Sequence, residues 1–144
     1  MEININCDLG EKSKLHNNEN DKFLLEIVNS ANVACGYHAG DEDTMQQVIE
    51  ISKKNNVSIG AHPSFNDPDN FGRIRINLPS SEIRKLIIDQ YEILQRIAVS
   101  LSSNVTHIKP HGPFHTYLLT PRDAMIIGQL NQIMLALHPE DETV

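Results

Sequence analysis

Two observations predict an α/β fold, built as an incomplete parallel (β/α) barrel of about four β/α units. Short apolar runs alternate with longer segments whose apolar residues recur at helical spacing, in the order βαβαβαβα. In each predicted strand one face is apolar, whereas the other is small or polar and leads into Asp or His. A parallel sheet covered by helices on both faces is usually apolar on both. A barrel with a polar interior therefore accounts better for the pattern, and its site is expected at the carboxyl ends of the strands.

The elements follow from local patterns. The strands are predicted over residues 3–6, 31–36, 57–63 and 105–112, and the helices over 21–30, 41–56, 80–101 and 120–137. The first helix is predicted because Phe23, Leu24, Ile27 and Val28 recur at helical spacing and form an apolar face. The second begins acidic and ends basic, which suits the helix dipole. Ser80 is expected to cap the third helix and Thr120 the fourth, with Pro121 at its first helical position.

Composition restricts the class of protein. The 144 residues suffice for one domain, predicted over 1–144. Twelve Lys and Arg against nineteen Asp and Glu give a net charge of −7, and no basic cluster is present, so neither nucleic acid nor a membrane surface is an expected partner. The amino terminus has neither the basic region nor the apolar run of a signal peptide, and Cys7 and Cys35 fit a reduced, cytoplasmic protein.

The polar faces of the four strands lead to one set of candidate site residues. Asp8, His38, His62 and His111 each stand in phase at the carboxyl end of a predicted strand. One Asp with three His is a suitable ligand set for Zn²⁺ or a similar divalent ion, which would polarise a carbonyl and activate water. Without a metal, the same side chains are suited to general acid and base catalysis. Lys109 is placed to offset negative charge on a substrate or intermediate.

Other candidates carry a structural interpretation beside the functional one. Asp41 is expected to be a helix N-cap first and a functional residue second. Glu11 lies in a loop at the mouth of the site, where surface and functional roles are evenly balanced. Arg73 lies in a Pro/Asp/Asn-rich loop and could hold a carboxylate, although a solvated loop arginine is the simpler interpretation. His107 lies deeper than His111 and is expected to be structural.

The stretches "NCDLGE", "SANVACGYHAGD", "GAHPSFNDPDNFGR" and "HIKPHG" resemble the LamB/YcsF family of lactam-utilisation proteins, which comprises the A subunit of ATP-dependent 5-oxoprolinase. The resemblance implies a barrel of the glycoside hydrolase/deacetylase type. It also implies opening of the 5-oxoproline lactam to L-glutamate with ATP hydrolysis, together with two partner subunits, B and C. Carried over by motif, the functional positions are Asp8, Glu11, Asp41, His38, His62, Arg73, Lys109 and His111, with Asp41 and Arg73 expected to contact substrate.

The sequence departs from the family pattern in three places. "KSKLHNNEND" follows the first motif where a glycine- and aromatic-rich loop is usual, and residues 113–144 form a divergent tail. The chain also has 144 residues, whereas a complete barrel takes roughly 250. Two further interpretations therefore stay open, namely a stand-alone metal-dependent deacetylase or amidohydrolase and an inactive truncated remnant. Open sheet edges also predict self-association.

Overall fold

The computed structural model describes residues 3–116. Four parallel strands form one sheet in the order β1-β2-β3-β4. The strands are β1 Asn6–Leu9, β2 Ser30–Ala34, β3 Ser58–His62 and β4 Val105–Ile108. The helices are α1 Asp21–Leu24, α2 Glu42–Lys54, α3 Ser80–Ser100 and α4 Gly112–Thr116, and a 3-10 turn spans Pro68–Asn70. Each strand pairs with its successor, so the predicted α/β fold with consecutive β/α units is confirmed.

The core lies where α2 and α3 pack against one face of the sheet. The helices contribute Met45, Val48, Ile49, Tyr91, Leu94 and Ala98, and the strands contribute Leu9, Ala31, Val33, Ile59, Ala61 and Val105. These side chains are all at most 2% exposed. Burying apolar surface contributes about 25 cal/mol per Å², so this contact holds the opposite, polar face of the sheet in place.

The second and third helices agree with their sequence patterns. Asp41 has an extended backbone and its Oδ1 accepts the N–H of Thr44 at 2.7 Å, so it is the predicted N-cap of α2. In α3 the predicted apolar positions Ile83, Ile87 and Leu94 are buried. The cap of α3 is Pro79 rather than Ser80, which is the first helical residue, and no side chain caps this end.

The first strand lies three residues later than predicted. The sequence pattern places it over residues 3–6, but only Asn6 belongs to β1, and Ile3 and Ile5 are 73% and 49% exposed. Leu9, which is 1% exposed, supplies the apolar contact instead. The other strands end earlier than predicted, because the residues after Ala34, His62 and Ile108 already belong to loops.

The first helix is also shorter than predicted. It ends at Leu24, and the N–H of Ile27 bonds the carbonyl of Leu24, three residues back. This tighter turn has about three residues per turn. It buries Leu25 and Val28 and leaves Phe23 and Ile27 62% and 67% exposed. The predicted apolar face of this helix is therefore wrong at two of its four positions.

Some predictions fall on residues beyond the described range. The fourth predicted helix, with Thr120 and Pro121 at its start, lies outside the described residues. So do all but the first four residues of the predicted divergent tail 113–144. Over residues 3–116, no helix has the length and apolarity needed to cross a membrane.

Candidate active site

Four side chains from four different segments meet at the carboxyl edge of the sheet. Glu11 follows β1, His38 lies between β2 and α2, His62 ends β3, and His111 follows β4. One nitrogen or oxygen atom from each lies within 4.8 Å of the others. The three imidazoles are at most 7% exposed. This is the position at which parallel barrels carry their active sites.

The loop after β3 folds over these histidines. Phe71 is 6% exposed, and its ring contacts those of His38 and His111 edge-on at centroid distances of 5.4 and 5.3 Å. Gly72 has a φ of +62°, and a Cβ there would lie 2.1 Å from Ser64 Oγ and 2.8 Å from the Cβ of His38. Only glycine fits both the left-handed backbone and the space. The "FGR" stretch therefore closes one side of the cluster.

Backbone carbonyls fix the orientation of two imidazoles. His62 Nδ1 lies 2.5 Å from the carbonyl oxygen of Lys109, and His111 Nε2 lies 2.9 Å from that of Phe71. A carbonyl only accepts, so each of these nitrogens carries the proton. Burial lowers the pKa of His62 to about 4, although the charge of Asp8 opposes the shift, so His62 is neutral at pH 7.

The opposite nitrogens of the two rings consequently present lone pairs to each other. His62 Nε2 and His111 Nδ1 are only 3.0 Å apart. Glu11 Oε1 lies 3.6 Å from the first and 3.2 Å from the second, and it is an acceptor as well. Three acceptors that point at one another require a cation or an additional proton between them.

His38 completes the cluster. Its Nε2 lies 3.0 Å from Glu11 Oε1, and its ring stacks on that of His111 with centroids 4.0 Å apart. Burial lowers the pKa of His38, opposed by the hydrogen bond to Glu11. Burial would raise the pKa of Glu11, but the adjacent imidazoles of His111 and His38 outweigh it and hold that pKa far below its usual range. Within the described residues, His38 Nδ1 is buried and has no hydrogen-bond partner.

Asp8 lies beside this cluster rather than in it. Its carboxylate accepts hydrogen bonds from Lys109 Nζ at 2.6 and 2.8 Å, and its Oδ2 lies 3.5 Å from His62 Nε2. Burial would raise the pKa of Asp8, but His62 and the bonds from Lys109 and Asn32 lower it overall. The sequence-based ligand set contained Asp8, whereas the carboxylate that the structure places among the histidines is Glu11.

The two predicted substrate-binding residues lie further out. Asp41 is exposed and caps α2, and bonds from the hydroxyl and N–H of Thr44 lower its pKa. Arg73 is exposed, with its guanidinium carbon 5.2 Å above the Phe71 ring. Neither belongs to the group of Glu11 and three histidines, so any role in substrate binding stays a prediction.

Two residues of the polar network were not predicted as site residues. Asn32 donates to Asp8 Oδ1 at 2.9 Å, and His107 Nε2 lies 3.0 Å from Asn32 Oδ1. His107 was expected to be structural, and its contacts connect it to Asp8. The signal in the sequence was the strand phase that Asn32 shares with the small face of β2 and that His107 shares with Lys109.

Comparisons with known proteins agree with this architecture. A profile of the LamB/YcsF family matches residues 3–140. The chain belongs to the LamB/YcsF family. A solved structure, the lactam utilization protein from Thermus thermophilus, superposes with a TM-score of 0.83 at 28% sequence identity, over 98% of this chain and 55% of that one. The incomplete barrel predicted from the sequence agrees with this similarity.

Curated relatives carry a more specific name. Proteins named as the A subunit of 5-oxoprolinase are 43% identical over 115 residues in Staphylococcus epidermidis and 44% identical over 113 residues in Nitrobacter hamburgensis. The alignments cover 80% and 78% of this chain but only 46% and 44% of those proteins. This chain thus spans about half the length of the curated relatives that it matches.

Proposed function

We propose that this chain is the hydrolytic A subunit of an ATP-dependent 5-oxoprolinase, opening the lactam of 5-oxoproline to L-glutamate in the cytoplasm. The family and the names of its relatives support the reaction class. The observation that carries the proposal is the buried convergence of Glu11 with the unprotonated nitrogens of His62 and His111. Such a cluster of acceptors is costly to bury unless a cation or a proton completes it.

We further propose that a divalent metal ion occupies this position. Glu11, His38, His62 and His111 would hold it, and one carboxylate with three imidazoles is a donor set suited to Zn²⁺ or a related ion. The carbonyls that orient His62 and His111 act as the outer partners found around histidine ligands of metals. When bound, such an ion polarises a carbonyl oxygen and favours ionisation of water.

Asp8 and Lys109 are the residues best placed to handle protons and charge. Opening the ring requires that water adds to the lactam carbonyl carbon, that the C–N bond breaks, and that the ring nitrogen takes up a proton. Asp8 is held ionised, and its Oδ2 faces the cluster, so it can accept a proton from the attacking water. Base catalysis of this kind contributes roughly 10²–10⁴-fold. Lys109 Nζ, bound to Asp8, offsets negative charge that develops at the carbonyl.

ATP and two further subunits, B and C, complete the proposal. A lactam is a stabilised amide, and coupling to ATP hydrolysis supplies the driving force to open it. The subunit designation of the relatives supports a multi-subunit assembly. We therefore expect ring opening by this chain only in the presence of its partner subunits.

The deciding experiment measures loss of 5-oxoproline and appearance of glutamate with ATP, using the chain alone and with subunits B and C. We expect turnover only in the complete mixture, and loss of turnover with a chelator that the metal restores. Lys85 of α3, which is exposed, pairs with Asp89 and is not among the four candidate ligands, offers the control variant Lys85→Ala. No turnover in the complete mixture after metal supplementation would overturn the proposal and leave the inactive remnant.

A second candidate is a stand-alone metal-dependent deacetylase or amidohydrolase. It is favoured by the fact that all four candidate ligands come from this one chain. The same preparation, tested alone on N-acetylated sugars with Zn²⁺ or Mn²⁺, separates the two candidates. Strong activity of the isolated chain without ATP would favour the deacetylase.

A further inference from the structure

Four residues occupy matching positions across all four strands. Asp8 of β1 is in register with Asn32 of β2, Asn32 with Gly60 of β3, and Gly60 with His107 of β4. Residues in register share one face of a sheet. This row crosses the polar face directly beside the histidine cluster.

Gly60 allows the row to be continuous. A Cβ at this position would lie 2.2 Å from His107 Nε2 and 2.3 Å from its Cδ2, closer than atoms can approach. The ring of His107 therefore crosses over β3 in the space that the missing side chain leaves. It places its Nε2 3.0 Å from Asn32 Oδ1, two strands away.

The hydrogen bonds determine which atoms of this row donate and which accept, and we call this order the polarity of the row. The Asn32 amide nitrogen donates to Asp8 Oδ1 and to Asn6 Oδ1, both at 2.9 Å. Its carbonyl oxygen must therefore face His107, so His107 Nε2 carries a proton. The Thr106 hydroxyl lies 2.9 Å from the opposite nitrogen, Nδ1, and donates its proton to the carbonyl of Ile59 at 3.0 Å. Rotating the Asn32 amide by 180° would set its oxygen against the Asp8 carboxylate.

The orientation of Asp8 depends on this polarity. Its Oδ1 accepts from both Asn32 and Lys109, whereas Oδ2 accepts from Lys109 and faces His62. We infer that His107 is a positioning residue. Acting through Asn32, it holds one oxygen of Asp8 and thereby directs the other into the reaction site. The inference rests on the proposed function, because it assigns His107 a part in the reaction that Asp8 assists.

The test compares two replacements of His107 in the complete enzyme. His107→Gln keeps an N–H donor near the position of Nε2, whereas His107→Leu removes it at similar volume. We expect His107→Leu to lower kcat by roughly 10–100-fold, the range typical of residues that orient reactive groups, with KM changed less than about 3-fold. His107→Gln should restore kcat to within about 5-fold of the natural protein. His16→Leu, at an exposed histidine outside the row, is the control.

A readout independent of activity separates this inference from the proposed function. The side-chain NH₂ signals of Asn32 in ¹⁵N NMR should be protected from exchange in the natural protein and in His107→Gln, but exchange at least about 10-fold faster in His107→Leu. If the assembled natural enzyme is inactive while these signals behave as expected, the function is wrong and the positioning role stands.

Equal losses of kcat in both variants, or unchanged exchange at Asn32 in His107→Leu, would overturn the inference. Should His107→Leu fail to fold, His107→Phe offers a second test. It keeps a planar ring over Gly60 but has no N–H for Asn32 Oδ1, so a loss of kcat in the same direction is then expected, whereas natural kcat and natural exchange at Asn32 would overturn the inference.

Discussion

Glu11 and Asp8 approach the same histidines in different surroundings. Glu11 Oε1 lies 3.0 Å from His38 Nε2 and 3.2 Å from His111 Nδ1, and no lysine or arginine pairs with it among the described ion pairs. Asp8 is paired with Lys109, which offsets its charge. A carboxylate without a cationic side chain beside it, such as Glu11, is the better metal ligand. The side chain of Asp8 is 33% exposed against 13% for Glu11, so Asp8 is the carboxylate that an attacking water can reach more easily. We therefore expect Glu11 to bind the metal and Asp8 to accept the proton.

This division predicts that one isosteric substitution lowers the affinity for Zn²⁺ and that another lowers kcat. Glu11→Gln should weaken binding of Zn²⁺ by at least about 10–100-fold, because it removes the only carboxylate of the cluster. Asp8→Asn should leave the affinity within a few-fold but lower kcat by roughly 10²–10⁴-fold. Competition with a chromophoric chelator measures the first effect, and the assembled assay measures the second. Equal affinities for Zn²⁺ in the natural protein and Glu11→Gln would contradict the assignment.

The buried histidines also predict how stability depends on pH. The folded chain holds the pKa of His62 at about 4, mainly through burial, against about 6.5 when unfolded. Between these values the unfolded chain binds a proton that the folded chain does not, so the free energy of unfolding falls as pH falls from about 6.5 towards 4. The lowered pKa values of Asp8 and Glu11 act in the same direction at still lower pH.

We expect the free energy of unfolding of the metal-free chain to decrease by about 1–3 kcal/mol between pH 7 and pH 4.5. Urea titrations at several pH values measure it. His62→Gln should flatten the dependence, whereas His16→Gln, at an exposed position, should leave it unchanged. A stability that stays constant or rises on acidification would show that His62 is not buried in its neutral form.

At the scale of elements, a structural and a functional role compete at Asp41, the residue that caps α2. Asp41 Oδ1 accepts the N–H and the hydroxyl of Thr44 at 2.7 and 2.6 Å. Asp41→Ala should therefore destabilise the chain by about 0.5–2 kcal/mol, whereas Asp41→Ser should keep most of the cap. Thermal melts measure the first effect, and KM for 5-oxoproline in the assembled enzyme separates the roles. A raised KM in a fully stable Asp41→Ser would establish the substrate-binding role.

The elements also show which parts of the fold local sequence patterns can predict. Strand phase predicted that His62 and His111 follow the same edge, since the alternation of side chains in a strand is a local property. Helical spacing likewise predicted the two long helices, whose apolar faces extend over several turns. It failed at α1, where a tight turn after Leu24 changed which residues are buried. The position of Glu11 among the histidines depends on how the loop after β1 folds back over the sheet, and no periodicity in the sequence predicts that.

Side-chain contacts between strands could not be predicted from the sequence either. His107 bonds Asn32 across Gly60 because three strands are in a particular register. Register between distant segments depends on packing of the whole sheet rather than on either strand alone. The short distance between His62 and His111 is of the same kind, since 49 residues separate them in the chain.

At the scale of the whole molecule, the residues that the structure describes leave the polar face of the sheet open. Over residues 3–116, β1 pairs only with β2, and β4 pairs only with β3. A cavity of about 370 Å³ lies on this face, lined by Asn4, Asn6, Ser30, Asn32, His107 and Lys109. The outer edges of β1 and β4 thus present backbone groups that neighbouring strands would pair. Large apolar side chains are exposed as well, among them Phe23 and Ile27.

These features predict that the isolated 144-residue chain is marginally stable and self-associates. Burial of apolar surface contributes about 25 cal/mol per Å², and net stabilities are only about 5–15 kcal/mol. Because each edge strand has only one partner strand among the described residues, pairing with strands of another chain would stabilise the sheet. We expect light scattering to show oligomers or aggregates and the thermal melt to be broad, whereas a version extended to the length of the relatives should be monodisperse and melt sharply. A monomer of the 144-residue chain with a sharp, cooperative transition at mesophilic temperatures would contradict this prediction. In that case the core between the sheet, α2 and α3 would suffice to hold the histidine cluster in place.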